Sequence, residues 1–439
     1  MNRTATGRRK AQSQVQLGIR PNLSQFSLLI VINAFVGGMV GLERTVVPLL
    51  GKEQFHINST SLITSFIVSF GITKALVDLV SGQLADSWGR KPILVLGWLA
   101  GLPVPFLIIY APDWSWIIGA NVLLGINQGF AWSMTVLMKV DLAGPARRGL
   151  AMGLNEFAGY GAVGLTAVVT GYIAGSSGLR PKPFYLGIGY ALVGFLLTVF
   201  LARETRGHMQ HESKEIAGAQ NSSEAPGKQR FREVFAVTSW RDKTLFGACQ
   251  AGLVNNLNDG VAWGIFPIFF LTHGLDVQHI GIIKAVYPFV WAGGQLVSGP
   301  LSDRWGRKGL IVGGMWVQAV AHPLIALGAI VSPWASGLGG AVLLGIGTAM
   351  VYPTLLAVVG DIAHPAWRAR SFSIYRFWRD MGYAVGAFLA GILGNWLGLN
   401  WAIEVAGMLT FASGALAWYS MRETRSEHKL ALQGIQERA

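Results

Sequence analysis

GQLADSWGRKP at residues 82–92 returns as GPLSDRWGRKG at residues 299–309, 217 positions later. Outward from this pair the likeness continues in chain order. VLLGI at 122–126 recurs at 342–346, and Asp141 and Arg148 answer to Asp361 and Arg368. Arg-Glu-Thr-Arg at 203–206 recurs at 422–425, and Pro48 pairs with Pro267. The offsets all lie between 217 and 220. Chance supplies one such match; six in order are a duplication. The chain is read as two related halves.

The surrounding composition excludes most protein classes. Of 439 residues, 52% are hydrophobic and only 13% are charged, about half the roughly 25% usual for soluble domains. So few ionised side chains cannot clothe a soluble protein of this size, and the chain is too apolar to be disordered. The single cysteine, Cys249, rules out a disulfide scaffold. A polytopic membrane protein remains. Residues 21–42, 92–112, 114–138, 157–179, 183–202 and 309–360 contain no Asp, Glu, Lys or Arg. With them, the pattern predicts twelve spans at about 23–48, 59–81, 92–110, 115–138, 149–175, 184–202, 244–271, 277–299, 309–331, 335–359, 371–396 and 400–420. In lipid each backbone polar group needs an internal partner, so runs this long are helices. The expected fold is an all-α membrane protein of twelve transmembrane helices in two pseudo-symmetric six-helix bundles. Its parts are a tail at 1–22, a first bundle at 23–202, a polar linker at 203–243, a second bundle at 244–420 and a tail at 421–439.

The net charge of +13 comes from the loops. Of the 35 Lys and Arg, 27 fall on one face, with both tails and the linker, and 3 on the other: Lys52, Arg180 and Lys182. The positive-inside rule then puts both termini in the cytoplasm of a multi-pass protein of the cell (cytoplasmic or inner) membrane. It accounts for the basic pI without a nucleic-acid partner. The apolar segment after the basic tail is too long for a cleaved signal and is read as the first span.

The two segments that open this reading, Gly82 to Lys91 and Gly299 to Lys308, resemble the loop 2–3 motif of the major facilitator superfamily and its second-half counterpart. The resemblance covers residues 23–425. It implies a transporter whose halves are parallel repeats, related by an axis along the membrane normal, with a cavity between them; this superfamily is itself a type example of that arrangement. It implies that Gly82 and Gly299 permit close helix packing and that Gly89 and Gly306 permit a tight turn, possible at positive φ. It also implies a cytoplasmic gate of charges, Asp86, Arg90, Lys91, Asp141 and Arg148 in one half and Asp303, Arg307, Lys308, Asp361 and Arg368 in the other. Two patterns of relatives are absent. Gln128-Gly129 is present without the Arg of an Arg-x-x-Gln-Gly element, that position being Gly125, and Gly159 to Gly164 lacks the Gly-Pro pair of drug antiporters. Both absences weigh against multidrug efflux.

Charges inside spans are costly, about 2.5–3.5 kcal/mol each on insertion scales, and therefore face a polar cavity or a partner. They are Glu43 and Arg44, Lys74 and Asp78, Glu156, Asp259, Lys284, and Arg376, Arg379 and Asp380, with Glu404 near the start of span 12. Helical spacing pairs Lys74 with Asp78 and Arg376 with Asp380, leaving Arg379 over. Arg44 and Lys284 lie toward span ends, where they can snorkel. Asp259 has no partner one turn away and sits among Asn255, Asn256 and Asn258. A carboxylate removed from water can load and release a proton, so Asp259, then Glu43 and Glu156, are the candidates for coupling. No metal-ligand spacing, cofactor motif or nucleophile–base pair accompanies them, so an enzyme is not expected. The expectation is a monomeric secondary active transporter, a symporter or antiporter, that moves a small polar or charged solute by alternating access with protons. An uncoupled facilitator and a transporter-like sensor signalling through the linker are the alternatives. In-span basic and acidic residues nearly balance, five against six, so the charge of the solute is left open.

Overall fold

The computed structural model describes residues 16–144, 147–211, 230–363 and 367–424, apart from the side chains of Arg148, Asp303 and Ala369. These residues form twelve long helices. In the first half they are α1 (Leu23–Glu53), α2 (Thr60–Trp88), α3 (Arg90–Ile109), α4, α5 (Arg148–Ser177) and α6 (Lys182–Phe200). In the second they are α7 (Lys243–Thr272), α8 (Val277–Trp305), α9 (Arg307–Gly328), α10 (Pro333–Ile362), α11 (Arg368–Trp396) and α12 (Leu399–Ser420). α4 consists of Trp114–Asn127 and Ser133–Ala143 joined by a π turn at Gln128–Trp132. A short helix at Phe231–Ala236 leads into α7 through a second π turn, Val237–Arg241. No strand occurs among the described residues. The middle of the linker, residues 212–229, and the tail beyond residue 424 lie outside them.

Local chemistry sets the ends. Ser59, Asp113, Asp242, Asp276 and Ser332 each accept a hydrogen bond from a first-turn backbone N–H of the helix they precede, which satisfies donors the helix itself leaves open. Ser332-Pro333 thus divides the long uncharged run into α9 and α10. Several helices overrun their expected spans, α2 to Trp88 and α8 to Trp305, because both continue out of the apolar layer into the repeated loop.

Nine of the twelve are long and apolar enough to cross a membrane by length and composition alone. The other three are α4, interrupted by its π turn, and α7 and α11, which carry the polar residues. Those two pack against each other through glycine. A Cβ on Gly382 or Gly386 would stand 2.1 Å from the backbone oxygen of Leu253 or Leu257. Between the halves, α2 meets α11 and α5 meets α8. A Cβ on Gly71 would lie 2.6 Å from the Ala384 nitrogen, and one on Gly171 would lie 3.1 Å from the Gly281 Cα. On the face away from the basic loops the seam is closed by Asn395, which accepts from the Thr60 N–H (2.6 Å) and donates to Ser61 Oγ (2.8 Å).

The contact between α7 and α11 gives a direct test. Gly386→Ala should lower stability by about 1–3 kcal/mol, since backbone cannot move aside, whereas Gly189→Ala, at a position open for 4 Å around, should be neutral. Thermal unfolding of both variants in detergent measures the difference.

Candidate functional site

The two repeated loops are built alike. Gly89 and Gly306 take φ of +98° and +107°, the left-handed region in which a side chain is strained, so these positions need glycine. Past each glycine a new helix begins with open N–H groups, and a glutamate from the end of the half reaches over to cap them. Glu204 accepts from the backbone of Arg90 (3.0 Å) and Lys91 (2.9 Å). Glu423 does so from Arg307 (2.8 Å) and Lys308 (3.1 Å). Arg90 Nε donates to Asp141 (3.2 Å) and Arg307 Nε to Asp361 (3.1 Å). Thr205 and Thr424 donate to the same two aspartates at 2.8 and 3.0 Å. The recurring Arg-Glu-Thr-Arg is thus a clasp on the repeated loop. Arg90 also bridges Asp86 at 3.0 Å, and all of its described partners lie in its own half.

Gly82 and Gly299 are not tightly packed: a Cβ on Gly82 would make ordinary contact with Ser373 Oγ of α11 at 3.7 Å, and one on Gly299 would meet nothing within 4 Å. Lys91 donates to the Val199 carbonyl at 2.9 Å, and Lys308 lies over the Trp418 ring at 4.7 Å. Arg368 is exposed and donates to the Ala363 carbonyl at 3.1 Å. The side chains of Arg148 and Asp303 lie outside the described residues.

Deeper in, ionic residues from both halves meet in one network. Lys74 Nζ on α2 lies 2.8 Å from Asp78 and 2.6 Å from Asp380 on α11. Asp380 also takes Arg379 (2.6 Å) and the Asn256 amide (3.3 Å). Arg379 donates to Tyr352 Oη (2.6 Å), which donates to Glu156 of the first half (3.2 Å). Glu156 is further held by Trp132 and Asn155, both at 3.0 Å, and Asp78 by Ser133 at 2.7 Å. The expected pairing of Arg376 with Asp380 is replaced. Asp380 turns to Arg379 and Lys74, and Arg376 makes no ion pair among the described residues, its Nε being buried without a partner. Arg376 and Arg379 are three residues apart, and the second faces the other half.

A second group lies farther from the basic loops. Tyr287 donates to Asp259, whose other oxygen is buried without a partner. Neither Arg44 nor Lys284 snorkels. Arg44 is sealed among Phe70, Trp263 and Phe66, with its Cζ 4.4, 5.1 and 5.4 Å from their ring centres, and Lys284 donates to the Ala262 carbonyl at 2.8 Å. Both helices bring these side chains inward, so the stem has no path to water. Both Glu43 oxygens are buried without a hydrogen-bond donor, 4.0 Å from Arg44 at the nearest. The asparagines beside Asp259 do not serve it. Asn255 and Asn258 bond Gln318 on α9, and only Asn256 enters the ionic network.

The sequence pattern misses one buried cation. Lys139 follows an uncharged run, which assigns it to a loop, but α4 continues past it. Its side chain is fully buried, and Nζ donates to the Leu29 carbonyl at 3.1 Å. Its place one turn before the helix end, ahead of the Gly144 turn, is the available signal. Between the groups lies a small cavity of about 20 Å³, lined by Lys74, Gln128, Trp132, Tyr160, Trp263, Arg379 and Tyr383 with apolar neighbours. That is room for about one water. The halves are therefore closed around the centre.

Two six-helix repeats with a buried ionic seam between them define a multi-pass membrane transporter. The sequence model of the Major Facilitator Superfamily matches residues 26–257 and again 248–438, and the chain belongs to that family. It is 24% identical over 372 residues to a multidrug resistance protein, MdtG, of Enterobacter lignolyticus, covering 82% of each chain. It is 23% identical to the class B tetracycline resistance protein of Escherichia coli, covering 78% of this chain and 79% of that one. Among solved structures it is similar to the inward open conformation of the xylose transporter XylE from Escherichia coli, with TM-score 0.71 and 14% identity over 92% of this chain and 97% of that one.

The ionic network and the clasp each make a measurable demand. Asp380→Asn should destabilise by about 3–5 kcal/mol, as loss of one member of a buried pair does, and Arg379→Gln added to it should recover part of the loss; thermal unfolding of the single and double variants reads this. For the clasp, burial raises the Glu204 carboxyl, but four backbone N–H donors outweigh it and hold the group below the ordinary carboxylate range. Its contribution is present above that range and is lost as pH falls through the lowered value. Glu204→Ala should therefore cost about 1–2 kcal/mol at neutral pH, and the gap from wild type should close only in strong acid.

Proposed function

We propose that the protein is a secondary active transporter that moves a small polar or charged solute by alternating access, coupled to protons. The observation that carries this reading is the set of buried carboxylate oxygens without a donor, Asp259 Oδ2 and both oxygens of Glu43, in a layer also crossed by the pairs Lys74–Asp380 and Glu156–Tyr352. An oxygen without a donor is a place for a proton, and pairs that join opposite halves must part if the halves rock. Asp259 is the proposed proton carrier, with Glu43 and Glu156 behind it. The clasped loops, with Asp141 and Asp361, are the proposed gate elements. The excess of basic residues beside those loops supports placing them, the linker and both tails in the cytoplasm, with Lys139 removed from the count. The division into tails 1–22 and 421–439, bundles 23–202 and 244–420 and linker 203–243 is proposed on the same basis, as is a monomeric unit in the inner membrane. The named relatives include drug resistance proteins and a xylose transporter, so the compounds in their names differ.

Proteoliposomes loaded with a pH-sensitive dye and offered a panel of organic acids, sugars and lipophilic cations test the proposal. At least one solute should move protons with it. Asp259→Asn should abolish that proton movement while leaving counterflow of the same solute within about threefold. Solute flux that ignores the proton gradient in the wild type would sink the coupling and leave an uncoupled facilitator.

A further inference from the structure

The cavity between the halves carries a chemical signature of its own. Its two charged lining residues, Lys74 and Arg379, are both cations, and no carboxylate lines it. Neither cation is exhausted by its partners. An ammonium has three donors, and Lys74 directs two at Asp78 and Asp380. A guanidinium has five N–H, of which Arg379 uses three, two on Asp380 and one on Tyr352. The hydroxyls of Tyr160 and Tyr383, also in the lining, make no hydrogen bond among the described residues, and Trp291 Nε1, beside Tyr160, is buried with no partner. Unspent charged donors thus face the cavity, beside groups that can accept, the two tyrosine hydroxyls and Gln128 Oε1.

The buried charged side chains balance, Arg44, Lys74, Arg90, Lys139, Lys284 and Arg379 against Glu43, Asp78, Asp141, Glu156, Asp259 and Asp380, so the preference of the site comes from which of them face the cavity: two cations and no carboxylate.

The walls are flat and aromatic. Trp263 stacks on Tyr383 at 4.9 Å with 14° between planes, and Tyr160 lies 3.6 Å from Trp291 and 5.0 Å from Trp132, centre to centre. The first pair belongs wholly to the second half, while the Tyr160–Trp291 contact crosses between halves. Parting that contact opens a slot with a ring on each side and the donors of Lys74 and Arg379 beside it. A lipophilic cation would meet like charge at Lys74 and Arg379, and a neutral sugar would bring no charge to them.

We infer that the central site takes a small organic anion with a planar, preferably aromatic, body, its carboxylate received by Arg379 and Lys74 and its ring held between the aromatic walls. This rests on the transport reading above and names its substrate class.

Benzoate is the probe, added to the purified full-length protein while tryptophan fluorescence is followed. A saturable change is expected, at least tenfold weaker with cyclohexanecarboxylate and not seen with xylose or tetraphenylphosphonium. Tyr383→Phe, which removes one hydroxyl and keeps the ring, should weaken benzoate three- to tenfold, and Arg379→Gln should remove binding; the milder variant keeps the test valid if the second fails to fold. Saturable binding of xylose or tetraphenylphosphonium without benzoate binding overturns the inference. Counterflow of radiolabelled benzoate in proteoliposomes separates the two readings. Benzoate that binds but does not exchange supports the ligand class and sinks transport, whereas exchange of xylose or tetraphenylphosphonium by a protein that ignores benzoate sinks the ligand class and leaves transport standing.

Discussion

The carboxylate of Asp380 holds the centre of this molecule together. It is fully buried and shared by Lys74 from one half and Arg379 and Asn256 from its own. A charge that deep is tolerable only with its partners in place, so a single group fixes how α2, α7 and α11 stand relative to one another. It also makes the seam divisible. Lys74 has a second carboxylate in its own half, Asp78, and Arg379 remains beside Asp380 when the halves part. Each side keeps a partner, so parting exposes no bare ion. A seam held by apolar contact alone would have no such alternative pairing, and its opening would present uncompensated surface instead.

The duplication is preserved at the ends and spent in the middle. The clasps repeat almost atom for atom, Glu204 with Glu423, Thr205 with Thr424 and Arg90 with Arg307. Between them, the offsets that align the halves set unlike residues against each other. Arg44 answers to Trp263, Lys74 to Trp291, Trp132 to Tyr352 and Tyr160 to Asp380. An ion in one half repeatedly stands where the other has a ring. In the first of these pairs the mates touch, the Arg44 guanidinium lying 5.1 Å from the Trp263 ring centre. Cations lie well on aromatic faces, more so when removed from water, which is why such an exchange survives in the seam.

What is legible in the sequence follows the reach of each signal. Runs without charge and the repeated loop are local patterns, and they yield twelve helices, their order and the positive φ of Gly89 and Gly306. The Lys74–Asp78 bridge is also local, one helical turn long. Asp380 shows where this fails. Spacing offers it Arg376, four residues back, but its nearest partners are an adjacent residue and a lysine 306 positions away, a choice made by how α11 is rotated against α2. Arg44 and Lys284 depart from expectation for a related reason, since distance from a helix end says nothing about which way the side chain points. Lys139 is hidden by a helix boundary that falls a few residues later than the charge pattern suggests. The Asn cluster near Asp259 looks like one environment and is two, because consecutive residues on a helix face different neighbours.

The least apolar helices carry the site, and their dependence on one another explains how a membrane protein tolerates them. α7 and α11 fall short of the apolar content of a free-standing span, yet nearly all of α7 is buried. Their contact is made backbone to backbone at Gly382 and Gly386, and Gly260 brings the Tyr383 carbonyl as near on the other side. Glycines at such crossings shorten the distance between axes, which is the main source of attraction where lipid is as apolar as any side chain. Close crossing also leaves polar groups no room to choose other partners. Asn256 reaches Asp380, and Trp263 stacks on Tyr383, because the two helices can pack in only one register. Low hydropathy and fixed geometry are thus two consequences of one arrangement: helices too polar for lipid must be clamped by neighbours, and clamping is what positions their side chains for chemistry.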